Sequence, residues 1–195
     1  MPNNELENDI VTLTKLQVAL GARVTSIQSE LSNITIAADT ETNAGLFDLL
    51  HEATECLLKH SEHWTHVLGH SETFPSREAA QIAFDKSSLK ERRKYSAETL
   101  SNVEGKIQQQ EVSPETEAGE AAYVVVTVLV GTAHDRPLFT APIASAAALK
   151  SALNTLRSMS SDYLMILELL WTPQLESDTL TEGEMASDYA DLIAI

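Results

Sequence analysis

Residues 123–131 read YVVVTVLVG, and β-branched or apolar side chains occupy odd and even positions alike. Successive residues of a strand point to opposite faces, so a half-buried strand alternates. A run that is apolar on both parities belongs to a central strand covered on both sides. The run from Ala121 to Gly131 is also only about half of the ~20 residues that a membrane-spanning helix needs. A buried strand here demands neighbouring strands and a helical layer on each face.

Downstream, the turn GTAHDRP leads to a short expected strand at Leu138 to Ala141. Ser145 is placed to cap a helix carrying Ala148, Leu149, Ala152, Leu153 and Leu156 on one side. Tyr163 to Trp171 reads as a second buried strand, stopped at Pro173 because proline cannot donate to a ladder. Thr181-Glu182-Gly183-Glu184 forms a capping box before a short last helix. Upstream, residues 9–20 (DIVTLTKLQVAL) alternate well enough to be a half-buried strand, with a slip in the alternation at Lys15. From Ala22 the spacing of Val24, Ile27, Leu31 and Ile34 is that of one helix face. After the turn ADTETNAG a second helix turns Leu46, Leu49, Leu50, Ala53 and Leu57 inward. A strand is expected around Trp64 to Leu68, a helix from Ser76 through Lys86, and a new helix from the box Ser88-Leu89-Lys90-Glu91 to about Val103.

Residues 105–120, GKIQQQEVSPETEAGE, have linker composition. They separate a helix-rich lobe, 9–104, from a β-β-α-β-α lobe, 121–195. Neither half holds enough strands to close a core alone. The expected fold is therefore α+β, a single domain over 1–195 in which a mainly antiparallel sheet, with helices covering it, takes strands from both sides of the central linker.

Lys plus Arg number 13 against 29 Asp plus Glu, a formal charge of 13 − 29 = −16. Such a surface repels a phosphate backbone, so nucleic acid is not an expected partner. The single cysteine, Cys56, excludes an intrachain disulfide, and the N-terminus carries no signal-peptide pattern. A soluble protein inside a cell or organelle is expected, cytoplasmic by default. No phosphate-binding loop, dinucleotide fingerprint, nucleophile elbow or zinc-protease motif is present. No cofactor is expected, and a non-enzymatic role is favoured.

Three groups could carry chemistry. Cys56, His60, His63, His66 and His70 offer five potential ligands; on one helix Cys56, His60 and His63 would share a face suited to zinc. The spacing fits no standard finger, and packing histidines are the simpler reading. Lys86, Lys90, Arg92, Arg93 and Lys94 form a basic cluster, either a docking patch for an acidic partner or anionic headgroups, or a solvated face paired with Asp85, Glu91 and Glu98. Glu168, inside YLMILELLW, would be costly to bury unpaired and so marks either a site or an internal ion pair. An exposed apolar patch near Trp171 would favour an interaction surface.

The segments LQVAL (16–20), LLKH (57–60), SLKERRKYSAETLSNV (88–103) and above all ELLWTPQLESDTLTEGEM with the following DYADL resemble the family of unknown function 1517 of cyanobacteria and chloroplasts. The resemblance runs from about Val11 to Leu192. It implies a photosynthetic cell and names no catalytic residue. Many members carry a glycine-rich segment and a membrane anchor ahead of this region; here the chain starts almost at the first strand, so a soluble member, at most peripheral to a photosynthetic membrane, is expected. Taken together, the expected function is a protein-interaction, assembly or regulatory factor of a photosynthetic cell. The alternative is a small-molecule-binding or metal-dependent enzyme using Glu168 or the Cys56/His60 group.

Overall fold

A computed structural model describes residues 5–21, 26–94, 100–103, 106–109 and 121–195; of 100–103, 106–109 and 121–122 only the backbone is considered. In chain order the strands are β1 (Val11–Gly21), β2 (Trp64–Phe74), β3 (Leu100–Val103), β4 (Lys106–Gln109), β5 (Ala121–Thr132), β6 (Leu164–Thr172), β7 (Leu180–Thr181) and β8 (Ile193–Ala194). The helices are α1 (Ile27–Ala37), α2 (Asn43–Lys59), α3 (Arg77–Arg92), α4 (Ala146–Ser158) and α5 (Glu182–Asp188). The main sheet is antiparallel throughout, in the order β6-β5-β1-β2-β8, with β7 added beside β5. Its strands come from both sides of residues 105–120, and helices cover both faces, which makes the fold α+β.

β5 lies between β1 and β6, as its two apolar parities require. Val124, Val126, Val128 and Val130 face one core with Leu16, Val18 and Leu20 of β1, under α1, α2 and α4. The odd residues face the other side, where α3 and α5 pack. Val11, Leu13 and Leu129 meet Ala80 and Phe84 of α3, and Ala19 and Val125 meet Met185 and Tyr189. β1 has no slip at Lys15: its pairing with β5 runs without a break from Thr12 to Gly21. It is a strand buried on both faces rather than half-buried, and its apolar residues change parity because different faces need them at its two ends.

The helix caps form as their sequences require. Ser145 accepts from the N–H of Ala148 at 3.1 Å, and Ser76 from that of Ala79 at 3.2 Å. Thr181 and Glu184 complete the capping box that starts α5. Several expectations need correction. The box at Ser88 starts nothing, because α3 runs through it to Arg92 and Glu91 is used elsewhere. Residues 100–103 of the expected second helix pair as a strand with 106–109, while 95–99 fall outside the described residues. The expected linker thus contains β4, and 105 and 110–120 also lie outside them. Leu138 to Ala141 form no strand: Leu138 donates its N–H to Ser71 Oγ at 2.9 Å, and Leu138 and Phe139 pack on the core. β2 is longer than expected and reaches Phe74, and Val24 of the first helical pattern lies outside the described residues.

Candidate functional site

On the α3 side of the sheet, the two apolar clusters leave a gap that is filled by charge. Lys15 and Gln17 of β1, Thr127 of β5 and Glu168 of β6 point out of the sheet there, and the last turn of α3 brings down Glu91. Glu91, only 1% exposed, accepts from Lys15 Nζ, from Gln17 Nε2 at 2.8 Å and from Lys94 Nζ at 2.8 Å. Gln17 Nε2 also donates to Thr127 Oγ1 at 2.9 Å. Beside this group Arg92 donates through Nε to Glu168 Oε1 at 2.7 Å and again through Nη2. Lys94 Nζ sits 4.1 Å from the centre of the Tyr189 ring, a cation–π contact that joins the ends of α3 and α5.

Burial alone would push the Glu91 carboxyl up, but hydrogen bonds and charge from Lys15 and Lys94 outweigh it and hold the group below the usual carboxylate range. Burial pushes Lys15 down by more than the hydrogen bond and charge of Glu91 pull it up, and the nearby Lys94 and Lys90 ammonium groups add to the lowering. Burial also pushes the Tyr189 phenol up to about 12. Glu91, almost fully buried and holding three donors, offers no open approach to a substrate. Glu168 is held by Arg92 through Oε1 alone. Its Oε2 and Gln17 Oε1 are buried and take no hydrogen bond from the described residues.

The basic cluster therefore divides. Arg92 and Lys94 turn towards the sheet as partners of Glu168 and Glu91. Lys86, Lys90 and Arg93 are exposed, Lys90 lying 3.5 Å from Asp191 across the surface. Alongside them two large apolar residues of α3 face solvent, Ile82 at 65% exposure and Leu89 at 50%. Residues seven apart lie two turns apart on one side of a helix, so Ile82, Lys86, Leu89 and Arg93 form one outward stripe on α3. Trp171 is 3% exposed in the core under α1, α2 and α4, so its own side chain adds no surface at that corner. Ile82 went unnoticed in the sequence because an exposed face is recognised only once the buried one, Ala80 and Phe84, is known.

The histidine group also divides. Cys56 and His60, four apart at the end of α2, meet Glu30 of α1, a residue the sequence pattern does not mark. One ligand atom from each lies within 4.8 Å of the others. Glu30 Oε1 is 3.1 Å from His60 Nε2 and accepts from Ser26 Oγ at 2.7 Å; Oε2 accepts from Lys59 Nζ at 2.9 Å and lies 3.9 Å from Cys56 Sγ. Burial opposes ionisation of Glu30, yet the hydrogen bonds from Lys59, Ser26 and His60 hold it down at about 2. His63 keeps its ring centre 6.3 Å from that of His60 and its Nε2 3.3 Å from Glu62, whereas His66 and His70 stand apart, near Thr65 and Glu72 respectively.

The model of a family described as a protein of unknown function (DUF1517) matches residues 10–195. The chain belongs to this family. It is 36% identical over 194 residues to Protein FLAP1 homolog A of Synechocystis, covering 93% of this chain and 56% of that protein. It is 34% identical over 180 residues to FLUCTUATING-LIGHT-ACCLIMATION protein 1, chloroplastic, of Arabidopsis thaliana, covering 91% of this chain and 45% of that one. This DUF1517 chain thus spans about half the length of the relatives it matches. No solved structure matches it. Among the described residues, no helix is long and apolar enough to cross a membrane.

Proposed function

We propose that this chain is a non-enzymatic interaction module acting in the light acclimation of a photosynthetic cell, in the cytoplasm or stroma, and that it docks an acidic amphipathic helix of another protein on the outward stripe of α3. The supporting observation is the stripe itself. Ile82 and Leu89 expose large apolar surface where Lys86, Lys90 and Arg93 supply outward positive charge, on a chain of net charge −16. Apolar residues two turns apart suit the seam of a helix packed alongside, and flanking cations favour carboxylates at its edges. The buried ionic group beneath holds the end of α3 to the sheet, so the stripe is presented on a rigid element rather than a loop. The name of the plant relative supplies the process.

The test is recovery of a partner with the tagged chain from cyanobacterial cells. Ile82→Ser with Leu89→Ser, and separately Lys86→Glu with Arg93→Glu, should each reduce recovery by at least about tenfold, the scale of a lost hot spot. Ile36→Ser, the same kind of change on exposed α1, should leave it intact. Equal recovery with all variants would remove the proposal. Binding to phosphatidylglycerol vesicles that is lost on charge reversal but kept by the serine pair would replace the protein partner with a lipid surface.

A further inference from the structure

A second feature lies away from α3, on the opposite side of the sheet. We propose that Glu30, Cys56 and His60 form a zinc site that ties α1 to α2, with a fourth coordination position on the exposed side next to Lys59. The three side chains supply a carboxylate oxygen, a thiolate sulfur and an imidazole nitrogen, the borderline donor set that zinc takes most readily. Bonds of about 2.0–2.3 Å in a tetrahedron place donor atoms roughly 3.3–3.8 Å apart. Here His60 Nε2 lies 3.1 Å from Glu30 Oε1 and Cys56 Sγ lies 3.9 Å from Oε2, while one donor atom from each of the three residues lies within 4.8 Å of the others, so closing round an ion needs side-chain shifts of up to about an ångström.

The backbone supports this geometry. Cys56 is buried in the core and His60 is the residue at which α2 ends, so both are fixed by packing. Ser26, just before α1, donates to the Glu30 carboxylate and orients it, the usual work of a supporting residue around a metal. Lys59 now shares that carboxylate, but its side chain is 66% exposed and can swing into water without breaking any packing. The ordinary alternative is a helix–helix ion pair with a thiol beside it. That reading accounts for Lys59 and Glu30; it gives no reason for a cysteine and a histidine converging on the same carboxylate.

Burial, aided by the charge of Glu30, pushes the Cys56 thiol up to about 12, so in the metal-free protein it is neutral and a poor nucleophile. Zinc entry breaks the S–H bond and forms a Zn–S bond. The proton leaves to solvent and the Lys59 ammonium is released from Glu30. A thiolate and a carboxylate against Zn²⁺ leave the site neutral.

The experiment is to equilibrate the purified chain with zinc sulfate and measure the melting temperature, then to exchange it into zinc-free buffer and measure the zinc it retains. About one zinc per chain is expected, with a rise on the order of 5–10 °C at a free zinc concentration a hundredfold above the dissociation constant. Cobalt in place of zinc should give a thiolate charge-transfer band that Cys56→Ala abolishes. Glu30→Gln, at a partly exposed position where folding is not at risk, should weaken zinc binding by at least the roughly 10–100-fold that loss of a supporting residue costs. His70→Gln, at an exposed histidine that faces Glu72 instead, should change nothing. Absence of retained zinc in the wild type, full retention in Glu30→Gln and Cys56→Ala, or loss on His70→Gln would each overturn the site. None of these results bears on the α3 stripe.

Discussion

Glu91→Gln tests the buried ionic group. The amide keeps the size of the side chain and removes the charge that two ammonium groups share. The Lys15 and Lys94 side chains are only 15% and 13% exposed, so neither is screened as a surface lysine would be. Removing one partner of a buried pair costs about 3–5 kcal/mol. Lys94, at the end of α3, can retreat towards water, which puts the expected cost near the lower end, about 3 kcal/mol. A domain of this size has about 5–15 kcal/mol in all. With a urea slope of about 2–3 kcal/mol/M, the midpoint should fall by about 1–1.5 M. The effect has a definite pH sign. The folded Glu91 carboxyl titrates below its unfolded value, so its contribution is fully present above the ordinary glutamate pKa, about 4.3, and is lost as pH falls below that. The acid limb of the wild-type stability curve should therefore be steeper than that of Glu91→Gln. Lys15→Met combined with Glu91→Leu should cost less than the two single changes added together, with a coupling of about 1–3 kcal/mol. A cost under about 1 kcal/mol with an unchanged acid limb would match a hydrated surface pair and refute the reasoning.

Two further changes probe the frame around this group. Gly131→Ala should destabilise by about 1–3 kcal/mol, seen as a lower urea midpoint, because a Cβ there would lie 2.6 Å from Ile166 Cγ2 and 3.2 Å from Leu13 Cδ2 in the α3-side core. Thr181→Ala removes the hydroxyl that accepts from Glu184 N–H at 3.2 Å and should cost about 1 kcal/mol by thermal melting, with faster amide exchange confined to α5.

Local chemistry made much of the fold legible. The valines of β5 announce a strand with two covered faces, Ser145 and Thr181 announce helix starts, and Pro173 follows the last residue of β6. The rest depended on partners distant in sequence. Lys15 looked like a break in a pattern because its counterpart, Glu91, lies 76 residues away. Glu91 looked like half of a capping box because the box is a local motif, and nothing local shows that Lys15 will take the carboxylate. The same limit hid Glu30 from Cys56 and His60, since helix pairing and not spacing brings them together. It also made five consecutive-looking cations read as one patch, when a helix face divides them into two that turn inward and three that do not. Trp171, at the end of a strand beside a turn, had no local sign of how deeply the helices would bury it.

The most direct measurement of the docking proposal is photo-crosslinking in living cyanobacterial cells, with a benzophenone amino acid placed at position 82 and, as control, at position 36. One discrete adduct from position 82, stronger in fluctuating light, reduced by Lys86→Glu with Arg93→Glu and missing from position 36, is the predicted result. The same adducts from both positions, or none from position 82, would contradict the assignment of the α3 stripe as the docking surface.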